Sequence, residues 1–245
     1  MTEPNRPNLN NSLIDRLASG AKGITGAIPF VGSIIAEIVG NVIPNQRIDR
    51  LARFVEQLSL GLDKIENAAI AKKFDEPMAI DLIEDAFVQA ARATTDERLN
   101  YIACVVANGL SLDDLKHAES KRILWLLGQL NDSEVVILRS RLCLTREDIM
   151  TDAQFREKHQ ELLAPDATYL GSTDDEFENA AIKRSYQQHL HDLGLIRSRF
   201  TKPRKGELPE LDPGTGMLKA NGTEITRLGK MLLRYLDLIP EWYQR

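Results

Sequence analysis

Residues 172–200 read STDDEFENAAIKRSYQQHLHDLGLIRSRF. Ser172-Thr-Asp-Asp175 has the composition of a helix start, and the acids Asp174, Asp175 and Glu176 suit the positive end of the helix macrodipole. The spacing predicts a helix running to Leu193, closed by Gly194 as the left-handed residue past its end. IRSRF then reads as a strand. A Pro/Gly-rich stretch from Lys202 to Gly216 follows, then a second strand within MLKANGTEIT, and an amphipathic helix carrying Leu228, Met231, Leu232, Tyr235 and Leu236.

Two helix starts lie upstream, at Asn131-Asp-Ser133 and at Thr145-Arg-Glu-Asp148. Helix, helix, helix, strand, long wing, strand, helix is the order of a winged helix-turn-helix domain, and residues 131–245 are assigned to one.

Residues 47–130 change to helical periodicity alone. Ile48, Leu51, Val55, Leu58, Leu62, Ile65 and Ala69 repeat at three- and four-residue steps, as in a coiled-coil seam. The flanking positions hold Ala52, Phe54, Ser59 and Gly61 where a zipper would carry paired charges, so a wide bundle face is expected. Asp75-Glu76-Pro77, Thr95-Asp96 and Ser111-Leu-Asp-Asp114 each mark a further helix start. The fold class is therefore mainly α: an N-terminal segment (1–46), a four-helix bundle (47–130) and the winged helix.

The N-terminal segment is set apart by GAIPFVGSIIAEIVGNVIP, residues 26–44. On a helical wheel Val31, Ile34, Ile35, Ile38, Val39 and Val42 form one apolar stripe. Gly32, Ala36 and Gly40 form a row of small residues that lets a second backbone come close, and Ser33, Glu37 and Asn41 form a polar row. Phe30 to Ile43 spans about 21 Å at about 1.5 Å per residue, short of a hydrocarbon core of roughly 30 Å. That length argues against a simple single-span anchor. A soluble or interfacial helix remains, as does a segment that enters the membrane on activation.

With 31 basic and 36 acidic residues the net charge is −5, so nothing global attracts nucleic acid and any such binding must be local. The local patch is Arg197, Arg199, Lys202, Arg204 and Lys205, with no acid before Glu207. Lys183 and Arg184, on the helix before it, would lie nearby. These side chains suit phosphates or a protein partner, and Glu178 and Asp192 on the same helix weigh toward the partner.

Other chemistry finds no support in spacing. GAKGITG at residues 20–26 lacks the phosphate-loop pattern. His189 and His191 diverge by about 200° on a helix and cannot share a metal from one face. Cys104 and Cys143 sit in apolar helical patterns and read as free thiols of a cytosolic protein. The polar start, MTEPNRPNLNNS, has no secretory pattern. No catalytic residue, metal site or cofactor is assigned.

The stretches DERLNYIACVVANGL, HAESKRILWLLGQLNDSEVVIL, LHDLGLI and EITRLGKMLLRYL, in this order, resemble the pattern of the bacterial abortive-infection alpha family, over roughly residues 48–238. The resemblance implies association with phage defence and carries no catalytic set. The glycine-rich segment before Pro44 and the long wing depart from the family pattern. The expected protein is non-enzymatic, cytoplasmic and recruited to the inner membrane. Its N-terminal helix forms homo-oligomers, with Gly32, Ala36, Gly40 and Glu37 among the contacts, and its winged helix senses or docks. A winged-helix regulator that binds nucleic acid, its N-terminal helix completing the core, is the alternative.

Overall fold

The computed structural model describes residues 45–62, 76–110, 117–143, 146–165, 171–200 and 218–240, with positions 169, 203, 206, 208–212, 216 and 243. These residues are mainly helical, with ten helices and one two-stranded antiparallel sheet. They fall into two compact units: the part up to Gln129 with Tyr235–Asp237, and the part from Leu130 to Arg234 with the remainder from Leu238 onward. The N-terminal candidates Val31, Gly32, Ile34, Ile35, Ala36, Glu37, Ile38 and Gly40 lie outside the described residues. So do the bundle positions Ile65 and Ala69 and the helix start at 111–114.

In the first unit four helices pack together: α1 (Asn45–Leu62), α2 (Pro77–Arg92), α3 (Asp96–Leu110) and α4 (His117–Gln129). Leu51, Val55, Leu58 and Leu62 of the apolar seam are buried, and Phe54 beside it is fully buried as well. That extra large side chain is why α1 serves a bundle core and not a two-helix zipper. Phe54 meets Phe87 of α2 edge to face, with ring centroids 5.2 Å apart. α3 contacts all three other helices and buries Leu99, Ile102, Val105, Val106 and Leu110.

Two of the expected helix starts differ in how they are capped. The Thr95 hydroxyl accepts from the Arg98 amide at 3.1 Å, a side-chain N-cap. Glu76, by contrast, occupies the N-cap of α2 without a side-chain capping hydrogen bond, and Pro77 in the first turn removes one amide that would need a cap.

The second unit begins with α5 (Asp132–Ser140), then three short helices, α6 (Arg146–Thr151), α7 (Ala153–Lys158) and α8 (Gln160–Leu163). The long α9 (Asp174–Asp192) follows, then β1 (Ile196–Phe200), β2 (Ala220–Ile225) and α10 (Arg227–Tyr235). Complete capping boxes, Asn131 with Glu134 and Thr173 with Glu176, open α5 and α9. Gly194 follows the α9 C-cap with φ +71°, a left-handed turn that a Cβ would disfavour.

β1 and β2 pair in the register Ile196 with Ile225 and Arg197 with Glu224, with an irregularity after Arg199. The chain is then turned tightly onto α10. Thr226 donates its amide to the Leu195 carbonyl at 2.9 Å and its hydroxyl to the Gly194 carbonyl at 2.7 Å. The same hydroxyl accepts from the Gly229 amide at 3.1 Å, capping α10. Among the described residues no helix is long and apolar enough to cross a membrane.

Candidate cation-lined cavity

The basic residues singled out by sequence part company in the fold. Arg197 Nε donates to Glu224 Oε1 at 2.6 Å, its direct partner across the sheet, so its charge is committed within the hairpin. Arg184 is exposed on α9. Lys183 and Arg199 converge instead on one cavity of about 390 Å³, together with Gln187 one turn along α9 and Thr223 of β2. Lys202, Arg204 and Lys205 lie outside the described residues.

Two further cations complete the lining, Arg141 at the end of α5 and Arg156 of α7. Four cationic side chains thus face one space, and among its described lining residues there is no acid. Each cation is positioned differently. Lys183 Nζ donates to the carbonyls of Glu161 at 2.9 Å and Ala164 at 3.4 Å. Arg156 reaches the Ser140 carbonyl at 3.4 Å, and Arg199 Nε reaches Asn221 Oδ1 at the same distance. Arg141 makes none of these contacts, and its Nε is buried without a hydrogen-bond partner among the described residues, as is Arg156 Nε.

Electrostatics follow from this crowding. Burial, and next the neighbouring Arg156 charge, push the Arg141 guanidinium below its ordinary pKa. Asp152, at the N-cap of α7, does not relieve it. Both Asp152 oxygens are taken in a fork by Arg139, at 2.6 and 2.9 Å, and the carboxylate is only 7% exposed. Arg139 in turn lies 3.6 Å from the Phe155 ring centroid.

Cys143 also lines the cavity. Its Sγ lies 3.7 Å from Asp152 Oδ2, and burial pushes its thiol pKa up, with Arg156 opposing the shift. The thiol is therefore held protonated, which suits a wall better than a nucleophile. Groups of His, Cys, Asp and Glu able to hold a metal are absent among the described residues.

Of the four cations of this cavity, the sequence singles out Lys183 and Arg199 and does not point to Arg141 and Arg156. Comparison of the chain with known families, curated proteins and solved structures gives no match.

Proposed function

We propose that the chain is a non-enzymatic defence-associated protein. In this reading the C-terminal winged helix-turn-helix senses or docks, the bundle transmits, and residues 26–44 form an oligomerising, membrane-directed effector. The setting rests on the resemblance to the abortive-infection alpha family, and the winged helix on the run of α9, β1, β2 and α10. The effector role rests on the three-faced pattern of Val31–Val42. One observation carries the choice of sensing or docking over gripping a nucleic-acid backbone. Arg197 is tied to Glu224 and Lys183 to two backbone carbonyls, so two cations expected on an outer face are engaged within the unit.

A nucleic-acid-binding regulator is the second reading, favoured by the exposure of Arg184 and Arg199. Under it, Arg184→Glu with Arg199→Glu weakens DNA or RNA binding and flattens its salt dependence by about one counterion per lost contact.

The effector reading is tested on Ala36→Leu by dye release from liposomes and thermal melting of the same samples. In a membrane assembly the larger side chain wedges neighbouring helices apart and abolishes leakage without altering the melt. In a soluble core it overpacks, costing about 1–3 kcal/mol with or without lipid. Wild-type protein that neither binds nor permeabilises liposomes under conditions that trigger its cellular effect sinks the effector reading.

A further inference from the structure

The cation-lined cavity of the second unit has a use that neither docking nor membrane action requires. We propose that it is a binding site for a phosphorylated small molecule of about mononucleotide size, held by Arg141, Arg156, Lys183 and Arg199. The inference stands on the cavity alone and survives if the membrane-directed role of residues 26–44 is wrong.

Charge is the first argument. Four cations share one partly open cavity whose described lining offers no acid, while the adjacent Asp152 is bound to Arg139. Like charges brought together and partly dehydrated repel, so an anion between them would stabilise the arrangement. A surface cluster would relax into water, but Arg141 and Arg156 have buried Nε donors without partners among the described residues. Such donors are costly unless something accepts from them.

Chemistry and size then narrow the ligand. Guanidinium groups present planar forks of donors that match phosphate oxygens, and three of the four cations are arginines. The volume, about 390 Å³, falls in the range of small-molecule sites, roughly 300–1,000 Å³, and leaves room beyond a single phosphate group. Ile137, Ile149 and Leu162 supply apolar lining for an organic portion, and Gln187 and Thr223 supply neutral polar groups. The cations come from α5, α7, α9 and β1, so a bound polyanion ties together four elements far apart in sequence. The expected consequence is stiffening of the unit on binding.

The test uses the full chain, isothermal titration and thermal melting at fixed ionic strength. Pyrophosphate is the probe for the phosphate class, ADP for an organic phosphate, adenosine for the organic part alone and sulfate for nonspecific anion binding. Pyrophosphate and ADP should bind and raise the melting temperature, ADP the more tightly, with adenosine inert. Arg199→Gln, at an exposed position that the core does not need, should weaken ADP binding by about tenfold or more, and Arg156→Gln likewise. Arg227→Gln, at an exposed position of α10 outside the lining, should leave binding unchanged.

Binding of pyrophosphate and ADP no tighter than sulfate overturns the proposal. So does binding that persists unchanged in Arg199→Gln and Arg156→Gln while both variants melt as wild type. A competition arm separates the two sources of a phosphate monoester. If a 5′-phosphorylated oligonucleotide displaces the probe whereas ADP fails to bind, the site reads nucleic-acid ends and the small-molecule assignment is wrong.

Discussion

Glu134 Oε1 lies 2.7 Å from His189 Nδ1, joining the first turn of α5 to the last turn of α9 across 55 residues of chain. The other carboxylate oxygen of Glu134 accepts from the Asn131 amide at 2.8 Å, so one buried side chain both caps its own helix and docks another. This fixes the relative position of the two helices that carry Arg141 and Lys183. Glu134→Ala leaves the Asn131 amide and the His189 ring without their acceptor, and we expect a loss of about 1–3 kcal/mol. His189→Ala should cost less, because His189 is 40% exposed and water replaces the contact. A double-mutant cycle read by urea melts checks the coupling. Additive losses would show that the pair does not act as a unit.

Gly229 supplies the second prediction. A Cβ at this position of α10 would lie 2.3 Å from the Leu195 carbonyl oxygen and 2.8 Å from Ile225 Cγ1, so the helix meets the start of β1 at backbone distance. The closest atom is backbone and cannot swing aside. Gly229→Ala should destabilise the unit by about 1–3 kcal/mol or more through forced separation of α10 from the hairpin. Proteolysis of the 201–219 connection should accelerate with it. A variant as stable and as resistant as wild type would contradict the close approach.

The contrast between what sequence revealed and what it hid has a physical basis. The limits of α9 were legible because capping is local: Thr173, Glu176 and Gly194 act on backbone within a few residues of themselves. The two strands were legible from their turn-rich connection. α7 and α8 were not, since AQFREK and QELL bury none of their residues and show no apolar face to read. Arg141 and Arg156 were hidden for a related reason. Glu147, Asp148, Asp152 and Glu157 lie between or beside them in sequence, so the local charge is balanced on paper. Only folding separates the signs, by giving Asp152 to Arg139 and bringing Arg141 and Arg156 to one cavity with Lys183 and Arg199. Lys183 and Arg199 were visible because each stands in a basic dipeptide or stripe.

The unrelieved repulsion in the cavity predicts a trade between stability and binding. Arg141→Met keeps much of the volume and removes the charge that burial and Arg156 disfavour, so the unliganded protein should gain from a few tenths to about 1 kcal/mol. The same variant should lose most of the thermal stabilisation that pyrophosphate gives the wild type. Melting curves with and without pyrophosphate provide both numbers. A variant that is less stable than wild type would mean that Arg141 contributes more through packing of its stem than its charge costs.

Cys143 reports on the same charges from the wall. Burial raises its thiol pKa and the Arg156 charge partly offsets that rise, which fixes the signs of two effects. In a Cys104→Ser background, alkylation of Cys143 by iodoacetamide should be slower at pH 8 than that of an unstructured thiol. Its rate should climb at a pH above the usual range of about 8.5. Arg156→Gln removes the favourable cation, so the thiolate becomes scarcer and the rate profile should move to still higher pH. Faster alkylation in this variant at matched pH, with an unchanged melting temperature, would show that access and not charge governs the thiol. The influence of Arg156 on the cavity wall would then have to be withdrawn.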